Sequence, residues 1–263
     1  MTLHSSKAPT PGTQLLRRAH AILRLLASHN RDGLRVIDIA SQLGLEQPTA
    51  HRILQGLVQE RMAIRDPLLP RYFLGPALVD LGLTAAAKFP WRELTQASVA
   101  RLAKQTGDTV VVTLRAGADG ICIEHKSGEF PIQASIVSVG TRRPLAAGAG
   151  GLAILSQLDS AECQRLVNLN ATQLGRDADE ILQRVEAARK LGYSVNNYRR
   201  TAPAITAIGV PVTGNSGNCN LGIAVVALAM RLSGKRRNEI LARLHEEAAV
   251  IGEAIAIACL PGL

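Results

Sequence analysis

An α+β chain with two folded units is expected: a small helical unit closed by a β-wing, then a linker helix, then a larger unit in which helices pack on an antiparallel sheet. Three observations predict it. Residues 36–59 carry two short apolar stripes at helical spacing, split at Gly44. From residue 63, and again from residue 109, the pattern changes to short extended runs rich in β-branched residues. Finally, the chain is basic in a lopsided way. Residues 1–75 hold 10 Lys+Arg against 5 Asp+Glu, a net +5, whereas the much longer remainder holds 20 against 16, a net +4.

At 263 residues the chain can bury two cores. Hydrophobic residues make up 47% and charged residues 19%, which is globular and excludes a disordered polymer. Aromatics contribute only 3%, so the cores must be built of Leu, Ile, Val and Ala. The net charge of +9 favours an anionic partner, and its density is greatest in the helical unit. Cys122, Cys163, Cys219 and Cys259 lie far apart with no C-x-x-C pair, so buried free thiols are expected rather than a zinc or disulfide framework. No metal or cofactor is expected. Residues 1–12 are rich in Ser, Thr and Pro and read as a disordered tail without a signal-peptide core. The apolar run at residues 221–230 is about half a membrane span. The expectation is a reduced, cytoplasmic protein with no membrane partner.

Residues 13–75 form the first unit. Leu15, Leu16, Ala19, Ile22, Leu23 and Leu26 repeat at helical spacing after Thr13, a suitable cap. A second helix begins near Val36, and Arg35 before it either reaches a phosphate or is simply a solvated charge. The third helix buries Ala50, Ile53, Leu54, Leu57 and Val58. Its other face carries Gln47, Thr49, His51, Arg52 and Gln55, while Pro48 suits the first turn, where its missing N–H costs nothing. Two helices joined by a Gly-containing turn, the second polar and basic on its free face, describe a helix-turn-helix, whose second helix enters the DNA major groove. An ordinary solvated helix pair shows the same stripes, and His51 alone would more often be structural. Residues 63–66 and 71–74 then flank a Pro-Leu-Leu-Pro loop as a hairpin wing, on which Arg65, Arg71 and Tyr72 would hold the DNA backbone. The competing reading of the two arginines is protection of an edge strand.

Residues 76–89 are a helix-forming linker stopped by Pro90, and residues 91–106 an amphipathic helix capped at Gly107. Strands are expected at residues 109–116, 121–125, 131–139, 205–212 and 221–228, with a turn at residues 118–120 and a Gly/Asn-rich turn at residues 214–220. Helices are expected at residues 150–157, 160–169 and 177–191.

Here the order of motifs carries a resemblance. The chain resembles the IclR family of bacterial transcriptional regulators in residues 45–54, Asp66, residues 72–82, VGTRRPLAAGAGGLAIL at 139–155, LGYSV at 191–195, AITAIGVPV at 204–212 and the final helix. The resemblance implies a winged helix-turn-helix domain, a GAF-like effector-binding domain at residues 90–263, double-stranded operator DNA as partner, and a homodimer or homotetramer. Such regulators usually have Ser at Pro48 and Gly at Arg61. It also implies that a small organic effector is held by the loop around Ala146, Gly148, Ala149, Gly150 and Leu152, and by Ala207, Ala224 and Val226 on the late strands.

The Gly-rich loop could offer helix N–H donors to an anion, or be only a close-packed helix start. Family members commonly show His or Thr, and Lys, where this chain has Ala146, Gly148 and Leu152. Their Glu and Cys are replaced by Thr201 or a neighbour and by Ala207, and their Ser positions by Ala224 and Val226. Losing these polar anchors implies a larger or more hydrophobic acid than glyoxylate, with Asn196, Asn197, Arg199 and Arg200 left as hydrogen-bonding candidates. Effector binding would act on the paired DNA domains through the linker helix. Nucleophile elbows, zinc-binding H-E-x-x-H and phosphate loops are lacking, so no catalysis is expected. Two rivals remain: a small-molecule enzyme with an accessory helical domain, and a non-specific nucleic-acid-binding protein. The cluster at residues 235–237 reads as a solvated cap or as a second nucleic-acid contact.

Overall fold

A computed structural model describes Thr10 and residues 12–30, 32–132, 137–198, 204–213 and 220–258. Most of the expected tail, Cys219, Cys259, the centre of the expected strand at 131–139, Arg199, Arg200, Thr201 and the turn at 214–219 lie outside them. The chain divides into two units, residues 1–88 and 89–263.

In the first unit α1 (Gln14–Ser28), α2 (Val36–Leu43) and α3 (Gln47–Gln59) surround a core of Ile22, Leu26, Leu34, Ile39, Ile53, Leu54 and Leu57. Burying each such side chain contributes about 1.5–3 kcal/mol. Only the inner part of the α1 stripe is used, since Leu15 and Leu16 are exposed. Gly44, left-handed at φ +61°, ends α2 and starts the tight turn. A hairpin of β1 (Ala63–Arg65) and β2 (Tyr72–Leu74) follows, then α4 (Ala77–Ala86), which has no buried residue.

The hairpin loop is shaped by Asp66, whose Oδ1 accepts from the backbone N–H groups of Leu68 and Leu69, both at 2.8 Å. Those two bonds hold its carboxyl below the usual range. Gly33 is required twice over. Its φ is +64°, and a Cβ there would lie 2.5 Å from the Phe73 ring.

Arg61, where the family resemblance implies glycine, is the non-glycine among the described residues at positive φ, +56°. That conformation costs about 1–2 kcal/mol for a residue with a Cβ. Arg61→Gly should therefore raise the denaturation midpoint of the first unit, and an unchanged or lowered midpoint would refute the strain. Gly75 lies beside it because a Cβ would come within 2.8 Å of the Arg61 carbonyl carbon.

The second unit holds an antiparallel six-stranded sheet in the order β5-β4-β3-β8-β7-β6. Its strands are β3 (Thr109–Ala116), β4 (Asp119–Lys126), β5 (Arg142–Pro144), β6 (Ser194–Tyr198), β7 (Ile205–Val212) and β8 (Leu221–Leu228). Two details differ from expectation. The β3–β4 turn sits at Gly117 and Ala118, with Gly117 at φ +70° and Gly120 already in the strand. No described residue of 131–139 is in a strand; Gly140 instead turns the chain at φ +87°, and pairing with β4 resumes at Arg142.

α5 (Trp91–Thr106) and α9 (Gly234–Ile257) cover one face, burying Val99, Leu102, Leu244 and Ile251 against Val110, Val112, Ile208, Val210, Ile223 and Val225. The other face carries α6 (Ala149–Leu155), with α7 (Ser160–Leu174) and α8 (Ala178–Leu191) packed around it. At the basic start of α9, Lys235 is exposed, as a solvated cap would be, while Arg236 is engaged internally. Arg236 donates to Asp108 at 3.0 Å and to the Thr106 carbonyl, and Arg231 pairs with Asp108 at 2.7 Å.

Arg101 joins α5 to α9 through two 2.7 Å bonds to Glu247. Beside that guanidinium the Glu247 carboxyl is held below its ordinary value. A carboxyl lowered by folding stabilises above its unfolded pKa of about 4.3, and that contribution is lost as pH falls through the folded value. Thermal denaturation from pH 7 to pH 3 should accordingly show a smaller acid-side loss in Glu247→Gln. An identical loss would exclude the pair as a contributor.

Candidate functional sites

On the first unit the structure gathers most of the expected DNA-facing residues on one surface. Gln47, His51 and Gln55 recur at four-residue spacing along α3, with Pro48 and Arg52 beside them, and all five are exposed. Thr49 is half-buried. Among the described residues, the side chains of Gln47, His51, Arg52 and Gln55 make no intramolecular hydrogen bond or ion pair, so their donors are free for an external partner. Arg65 on β1 is exposed as well.

Three residues are placed otherwise. Arg35 starts α2 and grips Asp38 with two 2.9 Å bonds, which hold the Asp38 carboxyl below its usual range. Its fork is thus engaged in starting a helix. Arg71 is turned inward, donating to the Asp32 and Gly33 carbonyls at 3.0 and 2.9 Å. Tyr72 is only 5% exposed, and its backbone exchanges hydrogen bonds with Leu34. Tyr72 lies on the core side of the hairpin, clustered with Leu34 and Ala63; its cross-strand partner Arg65 shares that side but, at the end of β1, reaches solvent. Tyr72→Ala should lower the stability of the first unit by about 3 kcal/mol, read by chemical denaturation; a small stability change with lost DNA binding would restore its role as a contact.

On the second unit the expected loop and late strands converge around α6. Gly150 is needed because a Cβ would meet Thr113 Oγ1 at 2.9 Å and the Gly222 carbonyl at 3.2 Å. Gly209 and Gly222 make the same close approach from the sheet, where a Cβ would lie 2.8 Å from the carbonyl carbon of Ala149 or Gly150, respectively. Ser194 Oγ ties the helix start down by donating to Ala149 O at 2.6 Å. The glycines therefore serve backbone-to-backbone packing.

Beside α6 lies an apolar chamber wall, one buried cluster in which Ala207, Ala224 and Val226 join Ala149, Val111, Cys122 and Val137, with Tyr198 and Ile205 packed against it. Strand register makes this so, since Ala207 pairs Val226 and Ala224 pairs Val111. Of these, Val111, Cys122 and Val137 border a small void together with Thr113, Thr141, Arg143 and Gly148. The void measures about 20 Å3, about the room one water requires. Burial pushes the Cys122 thiol up to about 11, so it stays neutral and acts as an apolar wall.

Ala146 and Leu152 do not join this chamber. Both are fully buried in the separate cluster with Leu145, Ile154, Leu166 and Ile181, and the Ala146 N–H donates to Asn170 Oδ1 at 2.8 Å. Asn197 is exposed and accepts from Thr206, while its neighbour Asn196 faces inward and bonds the Ala147 carbonyl and Arg184. Gly148, at the helix start, borders the void.

Sequence reasoning missed Arg143 and Tyr198. Arg143 borders the void and donates to Tyr198 OH at 3.2 Å, with its guanidinium carbon 5.8 Å from the ring centroid. Alternation could have found both, because Arg142 pairs outward with Asp119 at 2.8 Å and Tyr198 shares the face of Ser194 and Asn196.

A three-helix unit with a free polar recognition face, joined to a unit with an apolar chamber, defines the class of helix-turn-helix regulators of transcription. The family models agree. Residues 15–67 match the IclR helix-turn-helix domain and residues 84–253 match the bacterial transcriptional regulator IclR C-terminal domain. The chain belongs to the IclR family, whose members here are DNA-binding regulators rather than enzymes.

Among its relatives, the glycerol operon regulatory protein of Streptomyces griseus is 30% identical over 76% of this chain and 78% of its own length. The regulator KipR of Bacillus subtilis is 23% identical over 90% and 95%. The crystal structure of an IclR regulator from Alicyclobacillus acidocaldarius superposes with a TM-score of 0.75 at 26% identity, covering 93% of this chain and 98% of that one. An IclR homolog from Microbacterium hydrocarbonoxydans, crystallised with 4-hydroxybenzoate, shares the fold at 17% identity and a TM-score of 0.70, covering 93% and 100%. Among the described residues no helix is long and apolar enough to cross a membrane, and no His, Cys, Asp or Glu cluster could hold a metal.

Proposed function

We propose that this regulator binds double-stranded operator DNA through α3 and Arg65, and that its DNA occupancy responds to a small, largely apolar organic acid, aromatic or of similar size. The observation that carries the effector class is the chamber wall. Val111, Cys122, Ala149, Ala207, Ala224 and Val226 offer hydrocarbon and one neutral thiol. A short keto acid has little hydrocarbon to set against such a wall, whereas a ring fills it favourably. The 4-hydroxybenzoate held by a protein of the same fold is consistent with that class.

Two-fold operators imply at least a homodimer. The exposed Val79, Leu81 and Leu83 of α4 supply apolar surface for self-association. A cytoplasmic site of action follows from DNA as partner.

The test is a titration of full-length protein and operator DNA with glyoxylate and pyruvate on one side and benzoate and 4-hydroxybenzoate on the other, read by fluorescence anisotropy. Selective response to an aromatic acid supports the reading; tight selective response to the short acids refutes it.

A further inference from the structure

β5 and β6 are opposite edges of the six-stranded sheet, yet their side chains meet. Arg143 on β5 donates to the phenol oxygen of Tyr198 on β6. The sheet is thus curled until its two edges touch beside the face that bears the apolar chamber.

That contact is unbalanced for the arginine. A guanidinium has five N–H donors in a fork shaped for a carboxylate, and Arg143 spends one of them on a neutral phenol. Its neighbours are provided for: Arg142 has Asp119 and the Ala116 carbonyl, and Arg115 has Glu162. Arg143 has no carboxylate within ion-pair distance among the described residues, and residues 133–136 and 199–203, which follow on from the chamber residues in sequence, contain no Asp or Glu. The charge lies against the chamber, because Arg143 borders the same void as Cys122 and Val111. A Cβ on Gly148 would come 2.7 Å from its Nη2, so Gly148 leaves the guanidinium room.

We infer that Arg143 is the counter-ion of the effector's carboxylate, and that its bond to Tyr198 is a latch across the sheet edges which the carboxylate displaces. The inference rests on the effector class proposed above and identifies the residue that selects acids over neutral analogues. A charge-assisted, two-pronged bond to carboxylate is stronger than a single bond to a phenol, so the incoming acid wins the fork. The void of about 20 Å3 belongs to the latched state and is too small for a ring. Displacing Tyr198 from Arg143 removes that contact between β5 and β6.

The test uses full-length protein and two matched probe pairs, benzoate with benzamide and 4-hydroxybenzoate with 4-hydroxybenzamide, titrated by calorimetry. Wild type should prefer an acid over its amide by at least about 10-fold. Arg143→Met should weaken the acid by about 10-fold to 100-fold and leave the amide unchanged, abolishing the preference. Tyr198→Phe, which removes the competing oxygen, should bind the acid as tightly as wild type or a few-fold tighter. If Arg143→Met does not fold, Arg143→Lys makes the same comparison and should retain only part of the preference.

Preference retained in Arg143→Met, or acid binding lost equally in Tyr198→Phe, would overturn the assignment while leaving the effector class standing. Failure of wild type to bind any of the four probes would overturn both.

Discussion

Gly222→Ala should destabilise the second unit by about 2–3 kcal/mol, the range for forcing atoms into a close-packed interior. The added methyl would stand 2.8 Å from the Gly150 carbonyl carbon and nearer still to its oxygen. Neither side can yield. β8 is hydrogen-bonded to β3 on one side and β7 on the other, and every residue of α6 is buried. Only a shift of α6 away from the sheet relieves the clash, and that shift strains the seats of Ala149 and Gly209 and so disturbs the chamber. Gly56→Ala in α3 is the contrasting case, with open space around the new methyl. It should stabilise by about 0.5–1 kcal/mol through helix propensity alone. Chemical denaturation of both variants decides the matter, and a Gly222→Ala stability equal to wild type would remove the packing argument.

Combined substitution of His51 and Arg52 by Ala should abolish specific operator binding while leaving the melting temperature in place. Both side chains are exposed and make no internal bond among the described residues, so the fold does not depend on them. Each base contact of this kind is worth about 1–3 kcal/mol, which for the pair means a loss of about 30-fold to well over 1000-fold. Arg65→Ala should behave differently if it contacts phosphate, weakening all sequences alike and reducing the salt dependence by about one counter-ion. Arg71→Ala should instead lower stability, because its guanidinium bridges the carbonyls of Asp32 and Gly33 to the hairpin. Anisotropy at several salt concentrations separates the three behaviours. Unchanged operator affinity in the His51/Arg52 variant would contradict the assignment of the recognition face.

The elements carried by local periodicity were readable in the residues. The helical stripes of the first unit, the three-helix cluster of the second and four of its strands have strong apolar patterns, and α3 presents its polar face as its spacing implies. β6 was not recognised as a strand, because Ser194-Val-Asn-Asn-Tyr198 has few β-branched residues and is defined by pairing with β7. β5 was misplaced, because a three-residue edge strand after a positive-φ glycine has no pattern of its own.

At the sites, composition misled where direction mattered. Arg71 and Tyr72 looked like wing contacts, yet pairing turns one to backbone carbonyls and the other to the core. Ala146 and Leu152 are near Gly148 in sequence, but Ala146 in the turn before α6 and Leu152 on α6 both pack into the cluster with Leu166 and Ile181. The Arg143–Tyr198 contact joins residues 55 apart in sequence through the curl of a whole sheet, which no local window contains.

The most direct measurement of the central claim is operator affinity with and without a bound acid, made reciprocally. If a ligand on the second unit governs DNA binding by α3, saturating 4-hydroxybenzoate should change the operator Kd by at least about 5-fold, and saturating operator should change the 4-hydroxybenzoate Kd by the same factor. A protein that binds the acid tightly, yet holds its operator with the same Kd throughout, would contradict the account.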